Sequence, residues 1–534
     1  MKYLFFLNLI LFFFLSLDSL EIFAYGLDND QIEKIDQMIN DDTPVELPDM
    51  HTEKELPKGE PWVKPDYSNQ NNALGYFEGV FTVPKEMDER FNFWLQIYTR
   101  YTSEQGLLHD SKYINVIYRE IDFNSINTDQ NLNAFQKNRA KTKVVKDAKN
   151  EIKNLLERLD KVSRKKDFDI ATLTPEELEI WKKFEKIGDP DKFRNAAKKN
   201  RARFQLGQKD RVQLGILYSG RYLKRMEKIF REENLPVEIS RLPFVESSFN
   251  IFARSKVGAS GIWQFMPRTG RQYMKINRFI DERNDPLVAT RASIRLMKLN
   301  YKILETWPLA ITAYNQGAGG LLRMSNKLKT KELQEIIEKG TSSRFGFAGE
   351  NFYICFLTML HVEANADKYF GPMQRAPELV FETFTAPASV SWVNIVSWFN
   401  NDEDMAKLYN PHINYRGRSK SLILPKGIEI RVPPDKKEIA LRGMEELSKK
   451  QSRHVAKKAD APLIGSSLGA TVAKADVTGV NSPEPTTSSY MVQRGDTLYD
   501  IARNLGVSLK SLMEANDITS PSKIRPGLKL VVPH

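Results

Sequence analysis

The sequence nearly lacks cysteine. Among 534 residues only Cys355 occurs, inside the apolar stretch NFYICFLTML. No internal disulfide can form, so packed cores must hold the protein together wherever it resides, and a single cysteine among apolar neighbours reads as filler rather than as a nucleophile. Histidine is scarce and dispersed, at His51, His109, His361, His412, His454 and His534, with no pair at helical spacing and no Cys/His cluster. No metal site is expected from that pattern. Basic arms interleaved with stacking aromatics are missing too, which removes the usual signature of a nucleic-acid partner. Strand-like alternation is rare until the last third of the chain.

What is present begins with charge. The net charge is +11, with 28% charged and 41% hydrophobic residues. This composition is that of a soluble globular chain, and its excess of cations suits either plain solvation or attraction to an acidic polymer or surface. At the N-terminus Lys2 precedes YLFFLNLILFFFLSL. That run fits a secretory segment, residues 1–24, better than a bilayer-spanning helix. Export to the periplasm or cell envelope is the expectation, with membrane association possible if the segment is retained.

Composition then divides the chain. Residues 25–74 are acidic and Pro-rich and read as an extended leader. Residues 75–205 carry helical signals, including a stripe of Val144, Val145, Ala148, Ile152, Leu155, Leu156, Leu159 and Val162 at three- and four-residue steps. Residues 206–375 continue in helices punctuated by proline, which points to an all-α domain. Residues 378–436 and 488–534 both read as strand, two short helices, strand. Placing Ile395 on Ile501 brings Asn410 onto Asn516, and one longer loop then brings LPKGIEIRVP onto IRPGLKLVVP. This is the mark of an internal repeat. Between the units, residues 437–487 read as a flexible linker.

The chemistry centres on FVESSFNIFARSKVGASGIWQFMPRTG, residues 244–270. Glu246 follows the mostly apolar LPFV. A carboxyl in such surroundings is disfavoured as an anion, so it holds its proton near neutral pH, as a general acid must. Gly258 and Gly261 permit a tight turn, and Gln264 offers both a donor and an acceptor. The carboxylates of IDERNDP, Asp281, Glu282 and Asp285, are adequately explained by helix capping, which leaves Glu246 as the single candidate acid of the stretch.

These residues closely resemble the soluble lytic transglycosylase family, whose catalytic fold is goose-lysozyme-like. The resemblance rests on Glu-Ser at 246–247, Gly-Ala-Ser-Gly-Ile-Trp-Gln ending at Gln264, and ITAYNQGAGGL at 311–321. Ile262 and Trp263 stand where the family often has Leu-Met, a variant of its D-type subgroup. The closing VQRGDTLYDIA resembles a LysM module. Together these motifs cover about 220 residues of the chain.

The resemblance implies a multidomain, mainly α lysozyme-like protein with one or two small βααβ modules. It assigns Glu246 as catalytic acid/base, Ser255, Gln264 and Met266 to the sugar subsites, and Tyr314 and Asn315 to the opposite wall. In the LysM-like unit Gly495, Asp496, Thr497, Leu498 and Asn516 would flank a shallow N-acetylglucosamine groove. The earlier unit has Pro387, Ala388 and Ser389 near the place of Arg-Gly-Asp and reads as a degenerate copy. The implied reaction cuts peptidoglycan glycan strands between N-acetylmuramic acid and N-acetylglucosamine, leaves a 1,6-anhydromuramoyl end and needs no metal or cofactor. Hydrolysis of the goose-lysozyme type and a non-cutting glycan-binding scaffold are the alternatives. The sequence names no protein partner.

Overall fold

The computed structural model describes residues 60–61, 81–459 and 488–533, apart from 341, 343, 344, 420, 421, 493–495, 497, 506, 519, 521–523 and 526. The secretory segment, nearly all of the leader, the linker from residue 460, Gly495 and Thr497 lie outside the described residues. Two units emerge, 1–460 and 461–534.

The first described region combines helices with a sheet. Gln105–Asp110 lies between Ile117–Asp122 and Ala202–Leu206, antiparallel to both. The sequence led us to expect a mostly helical region. The central strand explains the difference, because Gly106 through Asp110 are all buried, so no polar/apolar alternation marks it. Against this sheet packs the Ala134–Ser163 helix, opened by a capping box between Asn133 and Gln136. Val145, Ala148, Ile152, Leu155, Leu156 and Leu159 of the expected stripe are buried there, while Val144 points outward at 39% exposure.

A larger core follows. The Pro286–Leu304, Trp307–Gln316 and Phe347–Ala364 helices pack together around Trp263, Phe352 and Phe356. The Asp88–Thr99 helix is stitched to this group where Arg90 and Trp94 both donate to Asn351 Oδ1, at 3.1 and 3.0 Å. Cys355 is fully buried, and burial pushes its thiol well up, which leaves it unreactive.

The first βααβ unit pairs Glu382–Thr385 with Glu429–Val432, around the Trp392–Ser397 and Glu403–Tyr409 helices. Its buried residues Trp392, Ile395, Ile413 and Ile430 belong to the same continuous core as Trp263. The segment after it corrects the expected linker, since Lys437–Ala459 is a helix. Ala440 and Met444 are buried along it, and Gly443 lies so close to Trp398 that an added Cβ would sit 2.5 Å from its indole nitrogen. Abundant charge on the other faces hid this narrow apolar stripe.

The second βααβ unit has its own small core of Val492, Leu498, Ile501, Ala502, Leu512 and Leu530. Ser488–Met491 pairs with Lys529–Val532, around the Leu498–Leu505 and Leu509–Glu514 helices.

Candidate active site

Glu246 sits in the last turn of the short Leu242–Ser247 helix, where Pro243 fixes the first turn. The residue is 6% exposed. Its carboxyl makes no hydrogen bond and no ion pair among the described residues. Burial alone raises it to about 8, so the group stays largely protonated at neutral pH.

The chain leaves this helix under strain. Ser248 and Phe249 both take left-handed backbone conformations, at φ 50° and 56°, a cost of roughly 1–2 kcal/mol per residue for side chains of L configuration. Two backbone bonds hold the reversal, from Ser248 N–H to Phe244 O at 3.1 Å and from Phe249 N–H to Pro243 O at 3.2 Å. Ser247, a residue to which the sequence assigned no role, donates its hydroxyl to Ile262 O at 3.0 Å. That bond ties the acid's helix to the glycine turn.

The turn itself is built by side chains folded back onto the backbone. Ser255 Oγ accepts from Ala259 N–H at 2.8 Å. The residue is buried, so its hydroxyl organises the loop. Gln264, left-handed at φ 46°, donates its amide nitrogen to Gly261 O at 2.7 Å and to Ala253 O at 3.3 Å, and its side-chain carbonyl makes no further bond among the described residues. Gly261 has φ 77°, and a Cβ there would lie 1.8 Å from Arg283 O. At Gly261 the close approach is therefore by the protein's own backbone. Arg283 also binds Gly258 O at 2.6 Å and Phe265 O at 2.9 Å while paired with Asp281 at 2.7 Å. Met266 is half-buried and precedes the Pro267–Arg271 helix.

Tyr314 closes the other side. Its hydroxyl donates to Trp263 O at 2.8 Å, and its ring lies 5.9 Å from that of Phe265. Burial, and then the nearby Glu246 charge, push its phenol well up, so it remains a neutral hydroxyl. Trp263 is fully buried and donates its indole N–H to Thr290 Oγ1 at 2.9 Å. Asn315 is buried and accepts from Gln316 Nε2 at 2.8 Å. Glu246, Gln264 and Tyr314 are therefore linked through Ile262 and Trp263. A cavity of about 370 Å³, lined by Gln316, Leu321, Arg323, Met324, Lys327 and Phe345 among others, does not include Glu246. Cavity size does not locate the acid; its uncompensated burial does.

The three carboxylates of IDERNDP are committed elsewhere. Asp281 caps the 282–284 turn and grips Arg283. Asp285 caps the Pro286–Leu304 helix and pairs with Arg431. Glu282 accepts from Lys275 N–H at 2.6 Å. In the second βααβ unit Asp496 accepts from Tyr490 Oη at 2.9 Å, and Leu498 points into the core. Asn516 spends its amide on Leu512 O, Val531 O and Val531 N–H.

Comparison with known proteins covers two stretches of the chain. Residues 226–337 match the family model described as the transglycosylase SLT domain, and residues 490–533 match that of the LysM domain. The chain is 28% identical over 310 residues to membrane-bound lytic murein transglycosylase D of Escherichia coli strain K12, covering 57% of this chain and 61% of that protein. The protein of the same name from E. coli O6:H1 matches to the same extent. A putative tributyltin chloride resistance protein of Alteromonas sp. strain M-1 is 35% identical over 123 residues, covering 23% of this chain and 59% of that one. The chain thus spans about three-fifths of the length of these curated relatives. Glu246 lies within the stretch that matches the SLT model, and the second βααβ unit spans the stretch that matches the LysM model.

Proposed function

We propose that the protein is an exported peptidoglycan lytic transglycosylase, acting in the periplasm or cell envelope. It would cut the β-1,4 bond between N-acetylmuramic acid and N-acetylglucosamine. The observation that carries the reading is Glu246, buried without a partner, held near pKa 8 and linked through one turn to Gln264 and Tyr314.

The protonated carboxyl gives its proton to the bridging oxygen as the bond from the muramoyl anomeric carbon to that oxygen breaks. Positive charge develops on the sugar ring while Glu246 becomes a carboxylate. That carboxylate then takes the proton of the muramoyl 6-hydroxyl, whose oxygen closes on the anomeric carbon. One C–O bond breaks, one forms, and the acid regains its proton. Water is not consumed.

The fate of the three IDERNDP carboxyls supports an intramolecular nucleophile over water. Asp281 and Asp285 are locked onto arginines and Glu282 onto backbone, so none is poised to activate a water molecule. Gln264 and the neutral Tyr314 hydroxyl supply polar contacts for acetamido and hydroxyl groups. The LysM domain and the relatives' names support peptidoglycan as the polymer. Digestion of purified sacculi by wild type and Glu246→Gln, followed by mass analysis of the fragments, tests the reading. Ends lighter by one water than hydrolytic ends, absent with the variant, are expected; ordinary reducing ends, or equal digestion by both proteins, would overturn it.

A further inference from the structure

The two βααβ units share an internal lock. Asn410 donates to Ala406 O at 3.2 Å and to Arg431 O at 2.8 Å, and accepts from Arg431 N–H at 2.8 Å. Asn516 makes the equivalent three bonds, to Leu512 O at 2.8 Å, Val531 O at 2.7 Å and Val531 N–H at 2.6 Å. The units differ in what surrounds that lock. Asn410 and Arg431 are 21 residues apart, Asn516 and Val531 only 15. Asn410 is fully buried; Asn516 is half-buried.

The longer loop of the first unit is docked on the SLT domain. His412 O accepts from Asp281 N–H at 2.8 Å, and Asn414 N–H donates to Phe279 O at 2.9 Å. Ile413 bridges Ile280, and the Asn414 amide reaches Asn277 O at 3.2 Å and Arg278 O at 3.1 Å. Gly417 is packed so that an added Cβ would lie 2.8 Å from Phe279 O. The strand adds an ion pair between Arg431 and Asp285 at 2.5 Å, with both residues buried. The unit's other loop is occupied as well, since Ser389 exchanges two backbone bonds with the Gln451 side chain, at 3.2 and 2.7 Å.

What this docking holds is the segment that shapes the site. Asp281 and Arg283 run directly from the docked loop to Gly258 O and Phe265 O, and Ser260 donates to Asn284 Oδ1 at 2.6 Å. Asp285 caps the helix whose Thr290 receives the Trp263 indole. We propose that the first βααβ unit is a brace for the 258–266 substrate loop, with both of its loops turned from glycan contact to docking, and that Arg431 and Asn414 are positioning residues. The role in substrate binding rests on the transglycosylase reading; the bracing does not.

The test uses the full-length chain and two variants, Arg431→Met and Asn414→Ala, with Arg431→Lys as the conservative control. Amide hydrogen exchange of residues 258–265 is expected to quicken at least tenfold in Arg431→Met and several-fold in Asn414→Ala, and to return toward wild type in Arg431→Lys. Exchange in the distant strand Gln105–Asp110 should not change. With soluble glycan fragments, KM should rise about tenfold in Arg431→Met with kcat within a factor of about three, and the fall of activity with rising pH should keep its midpoint. Folded variants with unchanged exchange at 258–265 would overturn the brace. If wild type cuts no glycan, the exchange experiment still decides the brace, and only the transglycosylase reading fails.

Discussion

Two glutamates share the same large core and are treated in opposite ways. Glu363 is fully buried on the Phe347–Ala364 helix, and two arginines face it, Arg241 at 2.9 Å and Arg375 at 2.6 Å. Burial raises its carboxyl, but the two guanidinium groups outweigh that and hold it below the ordinary range. Glu246 is almost as buried, has no such partner and is raised to about 8. A folded chain tolerates an ionised acid in its interior only when it is paired, so an unpaired one is kept neutral. The pair builds structure, and the lone acid is free to give its proton away. The two sites are also adjacent, because Arg241 immediately precedes the acid's helix and also grips Glu227 at 2.5 Å. The compensated cluster anchors the uncompensated one.

The sharpest way to break this contrast is to neutralise each acid in turn. Glu246→Gln should lower glycan cleavage by about a thousandfold or more, as expected for loss of a general acid whose proton drives the bond cleavage. Glu363→Gln, assayed as activity per folded molecule on the same glycan, should lose less than about tenfold. Comparable losses in both variants would erase the distinction.

Stability should separate them with opposite signs. Glu246 is raised in the folded state from an ordinary value of 4.5 to about 8. Its contribution is therefore most favourable below pH 4.5, declines as pH rises to about 8, and is flat beyond. The stability of Glu246→Gln relative to wild type should grow across that window by on the order of 4 kcal/mol, measured by urea unfolding at several pH values. Glu363→Gln should instead destabilise at neutral pH by about 3 kcal/mol or more, because Arg241 and Arg375 lose their buried counter-charge. Since the Glu363 carboxyl is held low, that difference should shrink as pH falls through the carboxylate range.

The smallest expected effect concerns Tyr314. Tyr314→Phe removes one hydrogen bond to Trp263 O, worth about 1 kcal/mol, and should lower stability by that order while lowering cleavage about tenfold. An unchanged rate would remove the hydroxyl from the site.

Much of this contrast was legible in the sequence at one pole only. LPFV before Glu246 announces an apolar setting, and VGASGIWQ announces a turn, because both signals are local. The pairing of Glu363 with Arg241 spans 122 residues, and nothing local marks it. The same limit hid Arg283 and Thr290, whose partners lie 18 to 27 residues away. It hid the Gln105–Asp110 strand, which is buried on both faces and therefore does not alternate. The alignment of Asn410 with Asn516 was readable because each asparagine sits at the same step between helix and strand. That the first unit would dock its longer loop against residues 277–281 was not, since docking depends on what the rest of the chain presents. Gly261 shows the same limit, because a glycine near a site suggests ligand approach, whereas here it answers the crowding of Arg283 O.

The central claim is that Glu246 is a neutral acid at neutral pH because burial leaves it without a counter-charge. Its most direct test is a pH titration of the Glu246 side-chain carboxyl by carbon-13 NMR, assigned by difference from Glu246→Gln. A midpoint near 8 is predicted. A midpoint at the ordinary value near 4.5 would contradict the account.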